Sequence, residues 1–125
     1  MYFAVMVAIA VSVHDWTVLR VNQETARVAP GATVPLCQAI PLIALTAHLR
    51  ATGPRRSVRV RLRAPGHAPR TRRVTLRRRT RVTFTPRGLG LRNEAFPEGT
   101  YRLTVRARGR VRARAALILR GGGTC

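Results

Sequence analysis

Residues 101–119 read YRLTVRARGRVRARAALIL, and their pattern indicates how the chain folds. Apolar and polar residues alternate on both sides of an Arg108-Gly109 step, which is typical of a tight hairpin turn. Because successive side chains of a strand point to opposite faces, the alternation gives each arm one apolar face and one arginine face. A helix would scatter the same residues around its circumference. The stretch therefore predicts a β-hairpin with arms at 101–107 and 110–119.

The same alternation occurs at 58–63, where valine and leucine alternate with arginine. Further strands are predicted at 16–21 with 24–28 as a continuation, at 43–49, around 74–76 and around 82–84, and an apolar stretch begins at 35–38. A short buried helix is the weaker alternative for 43–49, since Pro41 precedes it. About seven short strands without a long amphipathic helix predict an all-β chain folded as one antiparallel β-sandwich.

Residues 96–105, FPEGTYRLTV, resemble the segment that leads into a late strand of bacterial immunoglobulin-like and fibronectin-type domains. The resemblance covers about residues 16–120 and implies that Tyr101 packs at a corner of the sandwich, with its hydroxyl bonded back to the main chain. We therefore expect an immunoglobulin-like sandwich over 14–120. The core cysteine pair that brackets a tryptophan in antibody domains is absent, and Trp16 lies near the start instead.

The chain is strongly basic, with a net charge of +20 from 24 basic residues, all arginine, against four acidic residues. At 125 residues it suits one domain with a two-layer core. Few salt bridges can form, so we expect the arginines to repel one another and added salt to stabilise the fold. The lack of lysine indicates coding bias towards GC-rich codons more than selection for one ligand.

Both ends of the chain carry features that indicate the cellular compartment of the protein. Residues 1–13 are apolar or small and uncharged, too short to span a bilayer as a helix, and end near a small-x-small cleavage site at 8–10. They are a truncated signal without its basic region or, alternatively, a first buried strand. Residues 121–125 are a flexible glycine-rich tail that ends in Cys125. A Cys37–Cys125 disulfide is predicted, with two free thiols as the alternative, and it would place the protein in a secreted or envelope compartment.

No catalytic, cofactor or metal site is readable. Three histidines are widely separated, and the glycine run at 121–123 has no helix after it. We interpret the His14-Asp15 pair as an ordinary exposed terminus. Glu94 and Glu98, in the loop before residue 101, are expected to form local ion pairs with Arg92 or Arg102. The serines do not combine with a base: Ser12 falls in the possible signal, and Ser57 starts an arginine-flanked strand.

The arginine faces predict a surface for polyanions. The candidate residues are Arg59, Arg61, Arg63, Arg106, Arg108, Arg110, Arg112 and Arg114. Weak, nonspecific and salt-sensitive binding is expected, because specific recognition of single strands adds aromatic platforms, whereas Phe84, Phe96 and Tyr101 are assigned to the core or corner.

The sequence therefore favours a small, monomeric, secreted or envelope-associated immunoglobulin-like module. Its role would be structural or protein-interacting, with an unknown protein or envelope component as partner. A polyanion- or nucleic-acid-binding protein that uses its arginine-rich face is the alternative. An enzyme or inhibitor with an unreadable loop site is a third hypothesis.

Overall fold

The computed structural model of the protein describes residues 10–122. Within this range the chain forms nine strands and one short 3-10 turn at Arg92–Glu94. The strands are β1 (Val11–Arg20), β2 (Thr25–Val28), β3 (Thr33–Pro35), β4 (Leu42–Ala51), β5 (Arg56–Arg63), β6 (Arg70–Leu76), β7 (Arg79–Phe84), β8 (Gly99–Ala107) and β9 (Arg110–Arg120).

The strands form two sheets that pack face to face. One sheet has the order β2-β1-β4-β7 and the other has the order β3-β9-β8-β5-β6. Neighbouring strands are antiparallel, except that β3 runs parallel to β9 where Val34 lies opposite Leu119. The predicted all-β sandwich is confirmed.

The sandwich has nine described strands rather than about seven, because two short strands escaped prediction. Residues 24–28 do not continue the first strand: the chain reverses after Arg20, and β2 pairs antiparallel with β1. Gln23 adopts a left-handed φ of 70° in this turn, although glycine or asparagine usually marks that conformation. The three-residue β3 is too short to show an alternating pattern.

The core lies between the sheets and is built from the apolar members of the alternating patterns. Val58, Val60 and Leu62 are each at most 2 % exposed, and the larger rings of Trp16 and Tyr101 are completely buried. Complete burial of such a side chain contributes about 1.5–3 kcal/mol to folding. Within residues 10–122, no polar or charged residue is classed as buried. The charged side chains of the described residues therefore lie outside the core.

The predicted hairpin is present as β8 and β9, joined by Arg108 and Gly109 with φ of 52° and 73°. Two successive left-handed residues are typical of a type I′ turn. The pairing then shifts: Val105 lies opposite Ala113, but Arg106 lies opposite Val111, which leaves Arg112 without a partner. This bulge reverses the side-chain alternation beyond it. Val111 therefore shares a face with the exposed Arg106, and its predicted place on the apolar face is wrong.

Tyr101 holds the loop before β8 against the core. Its hydroxyl donates a hydrogen bond of 2.6 Å to the Pro97 carbonyl oxygen, and its ring meets Phe96 edge to face at a centroid distance of 6.0 Å. The hydroxyl bond to the main chain is the contact that the resemblance implied. Gly99 opens β8 with a φ of 133°, and a β-carbon there would lie 2.7 Å from Pro65 Cγ. A glycine is therefore required at this approach.

The described sandwich begins earlier than the expected boundary at residue 14, because β1 starts at Val11. Residues 1–9, most of the predicted 1–13 segment, lie outside the described residues, as do residues 123–125 of the predicted tail. Gly121 and Gly122 follow β9 and belong to no strand. In the described part of the chain, no helix has the length and apolar character needed to cross a membrane.

We predict that Tyr101→Phe lowers the free energy of unfolding by about 1–3 kcal/mol, because it leaves the Pro97 carbonyl oxygen without its hydrogen bond. Urea unfolding measures the change, with an unchanged denaturant slope as the control for an intact two-state fold. Stability equal to that of the wild type would contradict this role for the hydroxyl.

Candidate binding surfaces

The outer side of the five-stranded sheet carries a continuous set of guanidinium groups, which we call the arginine face. Its members are the exposed, outward-pointing residues Arg59, Arg61, Arg63, Arg73, Arg102, Arg106 and Arg114. Asp and Glu are absent from the outward positions of these paired strands. The arginine face is therefore a uniformly positive surface on one side of a β-sheet.

The register of the strands puts arginines directly opposite one another. Arg59 lies between Arg106 on β8 and Arg73 on β6, which makes a row of three, and Arg63 lies opposite Arg102. Like charges at directly opposed positions destabilise a sheet by up to about 1 kcal/mol. Arg61 differs, because its cross-strand neighbours are threonines on both sides. An open hollow of about 540 Å³ lies beside the three-arginine row.

The structure brings together five of the eight predicted polyanion residues and separates three. Arg59, Arg61, Arg63, Arg106 and Arg114 lie on the arginine face. The remaining residues are affected by the turn and by the bulge: Arg108, Arg110 and Arg112.

These three arginines do not extend the arginine face as the alternation predicted. Arg108 lies in the turn itself. Arg110 lies opposite the buried Ala107, so it is on the inner face of the sheet, but it is at the edge of the sheet and its side chain is exposed. Arg112 is half-buried at the bulge, and its buried Nε has no hydrogen-bond partner among residues 10–122. Their placement on one continuous outer row is therefore corrected.

Two members of the arginine face were missed. Arg102 belongs to the same alternation as Leu103, so the pattern could have identified it. Arg73 could not be identified, because Arg72 and Arg73 are adjacent in β6 and the alternation does not show which of them points outward. Only the pairing of Arg73 with Arg59 shows which side it occupies.

Other arginines hold the main chain together. Arg20 donates to the carbonyl oxygens of Ile40 at 3.1 Å and Pro35 at 2.8 Å, which ties the end of β1 to the segment after β3. Arg72 donates to the Thr83 carbonyl oxygen at 2.7 Å and so links β6 of one sheet to β7 of the other. These guanidiniums are structural.

The second surface lies on the outer side of the other sheet, in an open hollow of about 560 Å³ over β2, β1, β4 and β7. We call it the histidine hollow. Its basic lining residues are His14, Arg27, His48, Arg50, Arg79 and Arg81. The register aligns Arg50 with Arg79 and His48 with Arg81. A bulge at His14 allows it to line the same hollow as His48.

Asp15 lies at the base of this surface rather than in an exposed terminus. Its side chain is 16 % exposed and forms a 3.1 Å ion pair with Arg27, so the terminal interpretation of the His14-Asp15 pair is wrong for Asp15. Asp15 Oδ1 is buried and has no hydrogen-bond partner in the described part of the chain. Asp15 also faces His48 across the pair of strands.

His48 is half-buried, and its Nε2 lies 2.6 Å from Thr17 Oγ1. Burial is the largest influence on the pKa of His48 and lowers it. Asp15 opposes this effect, whereas Arg27, Arg81 and His14 lower the pKa further. A histidine with a lowered pKa is neutral near pH 7. The histidine hollow therefore holds a proton-accepting ring among fixed positive charges.

The other candidates for chemistry are dispersed. Ser12 and Ser57 are exposed on different strands, and neither is hydrogen-bonded to a base within residues 10–122. Glu94 and Glu98 are exposed, and in that range neither forms the ion pair expected with Arg92 or Arg102. Nor do three or more His, Cys, Asp or Glu side chains meet there as metal ligands.

Cys37 is buried, with 6 % of its surface exposed. Its predicted partner, Cys125, lies outside the described residues. The Cys37–Cys125 disulfide therefore stays a prediction.

The two ends of the sandwich differ in charge. The connections at 52–55, 77–78 and 108–109 meet at one end, and their charged residues are Arg55, Arg77, Arg78 and Arg108. The Thr52 and Ala51 amides donate to Ala10 and Arg78 carbonyl oxygens at this end. Both hollows open near it. The loops at the opposite end carry the glutamates Glu24, Glu94 and Glu98 together with Arg87 and Arg92.

No protein-family model matches the chain, and no curated protein matches it significantly.

We predict that Arg59→Thr stabilises the protein at low salt by up to about 1 kcal/mol, because it removes the centre of the three-arginine row. Arg61→Thr is the matched control: it makes the same chemical change between threonine neighbours. Thermal unfolding in low and high NaCl should show a difference between the two variants that shrinks as salt screens the charges. Equal stabilities at low salt would contradict the repulsion.

Proposed function

We propose that the protein is a small exported immunoglobulin-like module that acts through its surface, in a structural or protein-interaction role, and is not an enzyme. The order of β1, β4 and β7 in one sheet and of β9, β8 and β5 in the other carries this proposal. Immunoglobulin-type sandwiches divide their strands between two sheets in this manner. The Tyr101 bond to the Pro97 carbonyl supports the same assignment.

The position of the proposed cleavage site supports export. Cleavage after Ala10 would give a mature chain that begins at Val11, the first residue of β1. Such a chain keeps every described strand and loses the hydrogen bond from the Thr52 amide to the Ala10 carbonyl. In an oxidising compartment, we propose that Cys37 pairs with Cys125.

We predict that the protein recovered from the periplasm or medium of a secreting host begins at Val11. Its intact mass under non-reducing conditions should be lower by two hydrogens than after reduction, because one disulfide forms. N-terminal sequencing and mass spectrometry measure both properties. A Cys125→Ser variant should show no mass change on reduction. Two free thiols in the exported wild-type protein would contradict the disulfide, and retention of residues 1–10 would contradict the cleavage.

Polyanion binding by the arginine face is a second candidate function. Seven exposed arginines on one sheet surface without an intervening acid favour it. Guanidinium groups form paired hydrogen bonds with phosphate and carboxylate groups. Phe84, Phe96 and Tyr101 are buried, so they provide no stacking platform for bases. The expected binding is thus directed at the charged backbone of a polymer and is independent of base sequence.

We predict that affinity for a short DNA duplex, used as a probe, falls steeply with NaCl, since binding releases counterions. Arg59→Gln/Arg61→Gln should make the slope of log K against log[salt] shallower by about 2, at about one unit for each lost phosphate contact. Arg87→Gln/Arg92→Gln serves as the control, because it removes the same charge from the connection between β7 and β8, outside the arginine face. Equal changes in slope for the two double variants would show attraction by net charge alone and would overturn the proposal of a binding face.

A further inference from the structure

We propose that the histidine hollow is a binding site for a small phosphate-bearing ligand, separate from the arginine face on the opposite sheet. The juxtaposition that carries this proposal is Arg50 beside Arg79 and Arg81 beside His48 on two adjacent strands. The inference does not depend on polyanion binding by the arginine face.

The hollow gathers its charges from strands that are distant in sequence. Arg50 and His48 come from β4, Arg79 and Arg81 from β7, and His14 from β1. Successive outward residues of one strand lie about 7 Å apart, and adjacent strands lie about 5 Å apart, so the side chains can converge on one small anion. The volume of about 560 Å³ leaves room for a ligand larger than a single phosphate group.

The guanidiniums on β4 and β7 have no anionic partner within the described residues. The ion pair of that region joins Arg27 to Asp15, and it leaves Arg50, Arg79 and Arg81 without a counter-charge. Directly opposed like charges such as Arg50 and Arg79 repel each other. A multivalent anion in the hollow would convert this repulsion into charge-assisted hydrogen bonds.

The number of donors favours phosphate over carboxylate. Three guanidinium forks and an imidazole offer more N–H groups than the two oxygens of one carboxylate can accept. A terminal phosphate has three acceptor oxygens and up to two negative charges, and a second phosphate adds more of both. Pyrophosphate is therefore the simplest probe of the proposed site.

His48 would couple binding to pH. Its ring is faced by His14 and Asp15 on β1, Arg27 on β2, Arg81 on β7 and its own neighbour Arg50. The free protein favours the neutral ring, and a bound anion would favour the protonated ring. Binding should therefore take up a proton, and affinity should increase as the pH falls through the ordinary range of a histidine pKa.

Titration with pyrophosphate in about 0.1 M NaCl, followed by NMR amide shifts and calorimetry, tests the site. We expect saturable shifts at 48–50 and 79–81 with smaller shifts on the arginine face. Arg50→Gln/Arg79→Gln should weaken binding about tenfold or more, the loss expected when charge-assisted hydrogen bonds are removed. The matched control, Arg61→Gln/Arg114→Gln on the other sheet, should change affinity by less than about twofold, because charges farther away than the Debye length of about 10 Å are screened at this salt concentration.

His48→Gln separates the titration of the protein from that of pyrophosphate itself. The wild type should gain more affinity than His48→Gln between pH 7.5 and pH 5.5, and it should take up more protons on binding. Equal losses in the two double arginine variants, non-saturable shifts spread over both sheets, or identical pH profiles for wild type and His48→Gln would each overturn the proposal. If the wild type binds pyrophosphate but does not bind the DNA duplex, the result would instead count against polyanion binding by the arginine face.

Discussion

The burial of alternating apolar side chains against the mutual repulsion of guanidinium groups is the constraint on which this structure depends. Val58, Val60 and Leu62 are buried, and the arginines between them are exposed on a face without acids. Each completely buried aliphatic side chain contributes about 1.5–3 kcal/mol, whereas a like-charge pair across a sheet costs up to about 1 kcal/mol. Core burial therefore outweighs repulsion at each position, but it leaves an unneutralised surface.

The same constraint explains where the chemistry lies. Because no charged residue is buried among the described residues, the charged groups lie on the two outer sheet surfaces, at the sheet edges and in the connecting loops. The loops at one end carry Arg55, Arg77, Arg78 and Arg108, whereas the loops at the other end carry the glutamates 24, 94 and 98 together with Arg87 and Arg92. The described domain thus has a polarity along its strands. An anionic partner would be steered towards the arginine end before it meets either surface.

The alternation of residues within each strand predicted the sheets. The positions of the two binding surfaces depend on the register between strands that are distant in sequence. Strict alternation around Arg59, Arg61 and Arg63 was sufficient to place their side chains outside. It failed at 110–114, where a perfect alternation conceals the bulge at Arg112, because a bulge depends on the partner strand. The turn at Gln23 lacked the usual residue signal. The histidine hollow could not be predicted, since its residues lie on four strands whose register is absent from any local pattern.

Thermal unfolding at increasing NaCl concentration, followed by far-ultraviolet circular dichroism, measures whether apolar burial holds the sandwich together against the repulsion of its guanidinium groups. A sandwich with apolar inner faces and outward guanidiniums should give a β-sheet spectrum. Its cooperative transition should move to higher temperature as salt screens the repulsion. A predominantly helical spectrum, or a transition whose midpoint falls as salt is added, would contradict the account.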